Sequence, residues 1–368
     1  MTRYSFSLAT PEDDAPLRAR MAQDRIPGDL AVSFRREPSY FAGCTLQGSR
    51  SEVIKCVDGA TREIVGLGAR HVTRAFVNGA ARAVGYLSDL RAAPAARGGM
   101  LLARGYRFLR ALHEADPLPF YYTVIFDTNR AALSTLVGGR AGLPEYRDLG
   151  RVRGSAIRLD VPKPPLALKG VRFRTAAQQD VPALAAFLNR EHALKQFASV
   201  WTREDLESGF RGTLKLTDCY VALDRGAIVA AAAAWDQSAL RQTFVESYSP
   251  KLSALRAANN LLARVLPLKA LPAPGHRVPY FYLSAIAVRD NDPALFAALL
   301  RHVYRERRAG PWSYCIASLH ERDALCEGLE GYRAIPMDGR VFSVNFRDSR
   351  EAAGWLDGRV PYVDLARA

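Results

Sequence analysis

The chain has 368 residues, carries a net charge of +14 and is 49% hydrophobic. A chain of this length and composition can bury a large core, and on length alone two domains are more common than one. The basic residues are almost all arginines spread along the chain, which argues against a concentrated nucleic-acid or membrane surface. We therefore expect no nucleic-acid and no membrane partner. The positive charge is either that of an ordinary solvated, arginine-rich surface or one that attracts an acidic ligand.

Cysteine and histidine are sparse, with five and six residues respectively. They form no Cys-x-x-Cys or His-Glu-x-x-His pattern, so the sequence predicts free thiols and no metal site. The first residues, MTRYSFSLATPEDD, contain no long apolar core, and the most apolar run, Ala227–Trp235, is too short to span a bilayer. These features predict a cytoplasmic protein.

The first third of the chain has the pattern of a strand, helices and a meander. Tyr4–Leu8 alternates as a strand does, and a proline with acidic residues after Thr10 predicts a helix to about Gln23. Residues 26–41 have no clear period, and we interpret them as either a lid over a substrate or a surface helix and loop. Strand-like runs at 52–57, 63–76 and 81–91 are separated by Asp58-Gly59 and Asn78-Gly79, which favour tight hairpin turns.

A glycine turn follows this meander. The strand ends at Pro94, and Arg97-Gly98-Gly99 then opens a stretch with apolar residues at helical spacing. A helix N-terminus directs unpaired N–H groups and a positive dipole end outward, and glycines let an anion approach the backbone. The pattern suggests a phosphate site, although an ordinary turn has the same signature. Residues 120–127 then predict a central strand, followed by a helix at 129–137 and closing strands at 146–160.

The strand, Pro94, the Arg97-Gly98-Gly99 turn and the helix together resemble the acyl-CoA-binding motif of the GNAT superfamily of N-acetyltransferases, whose glycine loop wraps the pyrophosphate of coenzyme A. Asn129, followed later by Gly142-Leu143, resembles the family's second motif, in which an asparagine lies beside the cofactor. The element order matches as well. The sequence departs from the family's pattern at Met100 and Leu102, where small residues are usual, and at Leu136, where the usual general-acid tyrosine is absent.

The resemblance implies direct transfer of an acyl group from acetyl-CoA, or another acyl-CoA, to a small-molecule amine, without a metal. It places coenzyme A against eight positions: Leu90, Arg91, Arg97, Gly98, Gly99, Met100, Leu101 and Asn129. Asp89, just before the turn, is the candidate base by resemblance to the acidic residue often found there, and a solvated strand-edge aspartate is the alternative. By alternation Asp89 lies on the opposite face of its strand from Tyr86 and Ser88.

The general acid is left open by the residues themselves. Tyr122 is our candidate, and nothing in the spacing distinguishes it from Tyr40 and Tyr121.

Beyond the proline-rich residues 161–169, the opening pattern restarts. Residues 171–182 repeat the first strand and helix start, and Tyr282-Leu-Ser repeats Tyr86-Leu-Ser, with a helical insertion near 250–275. The sequence thus predicts an α/β (α+β) protein of two tandem GNAT-like domains, each a mixed, mostly antiparallel sheet flanked by helices. The predicted domains are 1–160, the linker 161–169, and 170–368.

The second copy lacks the features expected of a cofactor site. Its helix start has no glycine and carries Asp290 and Asp292, which suit helix capping and would repel a pyrophosphate. Glu321 stands where the first copy has Asn129. We expect this copy to be cofactor-free and coenzyme A to bind in the first.

Three classes of function fit the sequence. The first is an acyl-CoA-dependent N-acyltransferase whose N-terminal domain is catalytic. The second is a catalytically inactive tandem GNAT-like protein that binds a ligand or a partner. The third is a Fem-type aminoacyltransferase, which doubles the same fold and takes its acyl group from tRNA, although no concentrated basic stripe supports it.

Overall fold

The structure is a computed structural model that describes residues 3–96, 99–139, 142–210, 212–266, 268–346 and 356–368. The elements up to residue 160 are β1 Tyr4–Leu8, α1 Asp14–Gln23, β2 Arg25–Ile26, β3 Leu30–Arg35, α2 Tyr40–Cys44, β4 Arg50–Asp58, β5 Ile64–Val77, β6 Ala80–Ala92, α3 Gly99–Ala115, β7 Tyr121–Phe126, α4 Arg130–Leu136 and β8 Glu145–Arg158. Those after residue 170 are β9 Val171–Thr175, α5 Val181–His192, α6 Arg203–Glu207, β10 Cys219–Asp224, β11 Ala227–Trp235, β12 Gln242–Tyr248, α7 Pro250–Leu262, β13 Tyr280–Val288, α8 Pro293–Arg308, β14 Tyr314–His320, β15 Ala334–Pro336 and β16 Gly339–Asn345.

The predicted meander is present as β4, β5 and β6, which pair antiparallel. Asn78 and Gly79 both have positive φ in the turn between β5 and β6, which is why this dipeptide suits a tight hairpin. Between β4 and β5 the chain reverses over residues 59–63, which agrees with the predicted strand runs to within one residue. Residues 161–169 contain no helix or strand.

The α/β class with a large, mostly antiparallel sheet flanked by helices is confirmed, but the expectation of a separate sheet in each copy is wrong. A single sheet of 13 strands runs in the order β1-β4-β5-β6-β7-β16-β8-β14-β13-β11-β10-β9, and β15 pairs with β8. Counted inward from each end of the sheet, the equivalent strands of the two copies follow in the same order. The two copies are therefore related by an approximate twofold axis at the centre of the sheet.

The last strands of the two copies are exchanged across this axis. β8, from the first copy, pairs with β14 of the second, and β16, from the second copy, pairs with β7 of the first. The exchange could not be read from the sequence, because a strand pattern does not specify which neighbour the strand pairs with.

A second, three-stranded sheet joins the copies at another place. β3 pairs with β12 of the second copy along Leu30–Arg35, and β2 completes the sheet. Residues 26–41, interpreted from sequence as a lid or a surface helix and loop, thus supply one strand of an intercopy wall and the short helix α2.

Each copy carries the same irregularity in the strand that precedes its helix. The pairing of β5 with β6 shifts register opposite Asp89, which has φ +55°, and the pairing of β11 with β13 shifts opposite Ala285, which has φ +51°. Such a bulge bends the strand and redirects its side chains. Helices α3 and α8 cover the sheet after these strands, with Leu109 and Leu299 among their buried residues. None of the described helices is both long and apolar enough to cross a membrane.

Candidate functional site

The strands β6 and β7 separate partway along their length. They are parallel and pair only at Gly85 with Tyr121 and at Tyr86 with Tyr122. One step further, the Thr123 hydroxyl donates to the Leu87 carbonyl at 2.8 Å in place of a strand-to-strand bond. Within the described part of the chain, no strand pairs with this side of β6 beyond that point, so its polar backbone groups remain available to a ligand.

Helix α3 begins next to the end of this open edge. Arg97 and Gly98 lie outside the described residues, and Gly99 is the first residue of α3. Met100 follows with 81% of its surface exposed, so its side chain points to solvent. Leu101 is partly buried near Gly66. The role of this helix start as a pyrophosphate site stays a prediction.

The other predicted cofactor contacts differ in their surroundings. Leu90 is half exposed, whereas the Arg91 side chain is mostly buried, with Nη1 3.9 Å from the Asp24 carboxylate. Asn129 caps α4 by accepting a bond from the Ala132 N–H at 3.2 Å. The capping contact occupies its side-chain oxygen.

Asp89 forms part of a buried polar cluster rather than a solvated edge. Its Oδ2 accepts from Arg36 Nη2 at 2.5 Å and from the Tyr40 hydroxyl at 2.9 Å. Arg36 also donates to Gln47 Oε1 at 2.5 Å and contacts Cys44 Sγ at 3.1 Å. Burial alone would raise the pKa of Asp89, but the guanidinium groups of Arg36 and Arg91 and the hydrogen bond from Tyr40 together outweigh it and hold the pKa below its ordinary value. The carboxylate is a weak base in this state.

The bulge brings Asp89 to the same region as its neighbours on the strand, which corrects the expectation of opposite faces. The His71 ring lies 2.8 Å from Ser88 Oγ, and its other nitrogen lies 2.7 Å from Ser51 Oγ. The same ring stacks on Tyr86 at 6.1 Å, and the charge of Asp89 acts on it. Burial, with a contribution from Arg36, lowers the pKa of His71 to about 3, so the imidazole is neutral at pH 7.

The three tyrosines considered as the general acid lie in different surroundings. The Tyr40 hydroxyl donates to Asp89, and the Tyr121 hydroxyl is bonded to Arg70 and His113 on the other face of the sheet. The Tyr122 hydroxyl has no hydrogen-bond partner among the described residues. Its ring packs on Tyr86 at 5.0 Å, where β6 and β7 part, and burial raises its pKa to about 12. Tyr122 is therefore protonated and free to donate.

The equivalent gap in the second copy is filled by the chain itself. β13 and β14 pair only from Tyr280 to Tyr282, and residues 360–366 then occupy the space between them. The Ile286 N–H donates to the Tyr362 hydroxyl at 2.9 Å, and the Ala285 N–H donates to Asp364 at 3.0 Å. Both backbone groups lie on the strand edge that is open in the first copy.

The helix start of the second copy is also occupied. Asp292 accepts from the N–H groups of Ala294 and Leu295, as a capping residue does. The N-cap that matches Asn129 is Asp323, not Glu321 as the sequence suggested. Tyr122 pairs with Tyr86, and Ile316 pairs with the equivalent Tyr282, so Tyr122 and Ile316 occupy equivalent positions. Asn129 follows Tyr122 at the same distance in the chain as Asp323 follows Ile316, and Asp323 caps the short helix after β14.

Sequence reasoning missed the residues that surround Asp89. Arg36 lies in the charged segment that had no clear period, and His71 is a single histidine within a strand. No local pattern indicates that either would be buried beside β6. Within the described ranges, no group of three or more histidine, cysteine, aspartate or glutamate residues could hold a metal ion.

These features define the class of protein. Two copies of one α/β fold share a sheet, and each copy has two parallel strands that separate before a helix. One of the two gaps between these strands is open. No protein-family model matches the chain, and no curated protein matches it in sequence. Solved structures show the fold. The chain is similar to a GCN5-related N-acetyltransferase from Sphaerobacter thermophilus, with 13% identity, a TM-score of 0.56 and coverage of 100% of this chain and 99% of that one.

Two further solved structures are similar to the chain. N-myristoyltransferase from Saccharomyces cerevisiae, solved with bound myristoyl-CoA, has 11% identity and a TM-score of 0.61, over 94% of this chain and 80% of that one. The GCN5-related glucosamine N-acetyltransferase region of a fungal multi-domain β-N-acetylglucosaminidase has 13% identity and a TM-score of 0.62, over 92% of this chain and 38% of that one. The chain thus has the fold of the GNAT N-acetyltransferases and N-myristoyltransferases.

Proposed function

We propose that the protein is an acyl-CoA-dependent N-acyltransferase that acts on a small-molecule amine and binds its acyl-CoA, acetyl-CoA in the first instance, in the N-terminal copy. The observation that carries this proposal is the asymmetry of the two gaps. The edge of β6 is open and leads to the start of α3, where Met100 is exposed, whereas the edge of β13 is bonded to Tyr362 and Asp364. One of the similar structures was solved with bound myristoyl-CoA, which supports the same ligand class.

In this proposal the open edge of β6 holds the pantetheine chain through backbone hydrogen bonds, because an extended amide chain can add to an unpaired strand edge. The N-terminus of α3 then receives the pyrophosphate. The residues expected to contact coenzyme A are those from the sequence: Leu90, Arg91, Arg97, Gly98, Gly99, Met100, Leu101 and Asn129.

The amine would approach the thioester where β6 and β7 part, close to Tyr86 and Tyr122. The amine nitrogen attacks the thioester carbonyl, the carbon–sulfur bond breaks, and the proton lost by the amine must reach solvent or a base. Tyr122, which stays protonated at neutral pH, is the proposed donor to the leaving thiolate. Asp89 was our candidate base. Its ion pair with Arg36 favours a positioning role, in which it fixes Arg36 and Tyr40 beside the acceptor.

The test is an assay of free thiol release from acetyl-CoA against a panel of small amines, preceded by a thermal-shift screen of acyl-CoAs. We expect stabilisation by at least one acyl-CoA and turnover that Tyr122→Phe lowers by roughly a hundredfold with little change in acyl-CoA affinity. Tyr248→Phe, a change on the intercopy sheet, is the matched control. Stabilisation without turnover on any amine would favour the inactive, ligand-binding alternative. Salt-dependent binding of tRNA without acyl-CoA binding would favour the Fem-type alternative.

A further inference from the structure

The insertion in the second copy carries an exposed apolar surface. Helix α7 has no buried residue, and five large apolar side chains of the helix and its exit are exposed. Val265 is 81% exposed and Leu261 is 65% exposed. The exposed apolar residues, which we call the α7 patch, are Leu255, Leu261, Leu262, Val265 and Leu266.

Part of the polar surface of α7 is turned inward, which is unusual for a helix whose apolar residues are exposed. Arg256 Nε donates to the Pro272 carbonyl at 3.0 Å, and Asn259 donates to the Lys269 carbonyl at 3.0 Å, both in the segment that follows the helix. Asn260 bonds to both backbone groups of Leu271, at 2.7 and 3.0 Å. These bonds hold the helix with its apolar face outward.

The insertion itself carries charge of one sign, and the exposed Asp29 lies beside its start, where the Asp29 carbonyl accepts from the Ser249 N–H at 2.7 Å. The segment from Ser247 to Val288 contains no aspartate or glutamate, and its basic residues are Lys251, Arg256, Arg264, Lys269 and Arg277. Lys251 and Arg264 are exposed, one in the first turn of α7 and the other just beyond its last turn. A single helix with an apolar arc and flanking cations is the arrangement that lies in a bilayer interface and favours anionic lipid.

We propose that the α7 patch docks the protein on the surface of an anionic lipid bilayer, with α7 parallel to the membrane plane. The occupant is a bilayer rather than a second copy of this chain, because an isologous contact would bring the Lys251 and Arg264 side chains of the two copies together, and α7 itself carries no acidic residue to offset them. This proposal replaces the sequence-based expectation of no membrane partner and does not depend on the proposed acyl transfer.

The test is co-sedimentation of the full chain with two kinds of vesicle, pure phosphatidylcholine and an equal mixture of phosphatidylcholine and phosphatidylglycerol. We expect binding to the mixed vesicles that weakens as salt is added, and binding to pure phosphatidylcholine that is at least about tenfold weaker. Leu261→Ser with Val265→Ser should weaken binding to the mixed vesicles at least about tenfold, because it removes apolar area and leaves the charge unchanged. Lys251→Glu with Arg264→Glu should weaken it by a similar factor.

The matched control is Leu194→Ser, which removes an exposed leucine of similar accessibility on another surface. It should leave vesicle binding unchanged. All of these side chains are exposed, so the melting temperature of each variant should equal that of the wild type within a few degrees. Equal binding to both kinds of vesicle, no binding to either, or loss of binding in the control would overturn the proposal. A wild-type dimer that does not bind vesicles, and that is lost in the Leu261→Ser, Val265→Ser variant, would also overturn the proposal. The patch would then be a self-association surface.

Discussion

At the scale of single residues, the Arg36–Asp89 pair is the most constrained part of the candidate site. Only 2% of the Arg36 side chain and 10% of the Asp89 side chain are exposed, and the two groups share a 2.5 Å contact. Removing one partner of a buried pair leaves the other as an uncompensated charge, which costs more than the pair contributes. We therefore expect the ion pair to be needed for the stability of the fold around β6, next to the open edge.

Asp89→Asn tests this expectation. We expect the free energy of unfolding to fall by about 3 kcal/mol, because Arg36 stays buried without a carboxylate. Urea denaturation measures the change. Asp148→Asn, which removes the partner of Arg340 in an exposed pair, should change stability by less than about 0.5 kcal/mol. A loss in Asp89→Asn no larger than in this control would show that the buried pair has no such role.

The neutral state of His71 gives a pH dependence. Its pKa is about 3 in the folded protein because of burial, whereas a histidine in the unfolded chain has a pKa of about 6.5. Between these values the unfolded state binds more protons, so His71 makes the protein less stable as the pH falls, by up to about 1.4 kcal/mol per pH unit. His71→Gln should flatten the dependence of stability on pH between about pH 6 and pH 4.

The control for this prediction is His276→Gln, at an exposed histidine. Urea denaturation at several pH values should give the wild-type slope in this control. An unchanged slope in His71→Gln would mean that the ring is protonated in the folded protein.

At the scale of elements, the starts of α3 and α8 differ in the feature that we expect to determine which copy binds an anion. The two helices occupy equivalent places, but Asp292 caps α8, and the first described turn of α3 has no acidic residue. Most of this difference could be predicted from the sequence, because the glycine turn before α3, the acidic start of α8 and the strand runs are all local patterns. It did not reveal the bulge at Asp89, because positive φ at an aspartate is set by the pairing of β5 and β6.

A pair of matched substitutions tests the helix start. Met100 and Ala294 are both exposed and are each the second residue of their helix. Met100→Asp should weaken acetyl-CoA binding about three- to tenfold, because a carboxylate would repel the pyrophosphate, while Ala294→Asp should leave it unchanged. Calorimetric titration measures both. The reverse order of effects would assign the cofactor to the second copy.

At the scale of the whole molecule, the exchanged strands make the two copies interdependent. β8 pairs with β14, and β16 lies between β7 and β8, so neither half keeps its native sheet when separated from the other. The repeat itself was visible in the sequence, because Tyr86-Leu-Ser and Tyr282-Leu-Ser occupy equivalent strands. The exchange was not, and neither was the filling of the second gap, because both depend on contacts between residues far apart in the chain.

This interdependence predicts that the intact chain unfolds in one cooperative transition, and that residues 1–160 expressed alone do not. The isolated half would expose the edges of β7 and β8 that β16 and β14 cover in the intact chain. Differential scanning calorimetry measures both. A cooperative transition in the isolated half near the temperature of the intact chain would show that the copies fold independently.

A crystal structure of the protein with acetyl-CoA would show whether an acyl-CoA binds in the open gap of the first copy. We expect the pantetheine chain beside β6 after Leu87, the pyrophosphate at the start of α3, and residues 360–366 still between β13 and β14. Acetyl-CoA bound between β13 and β14, with Tyr362 and Asp364 displaced, would contradict this expectation.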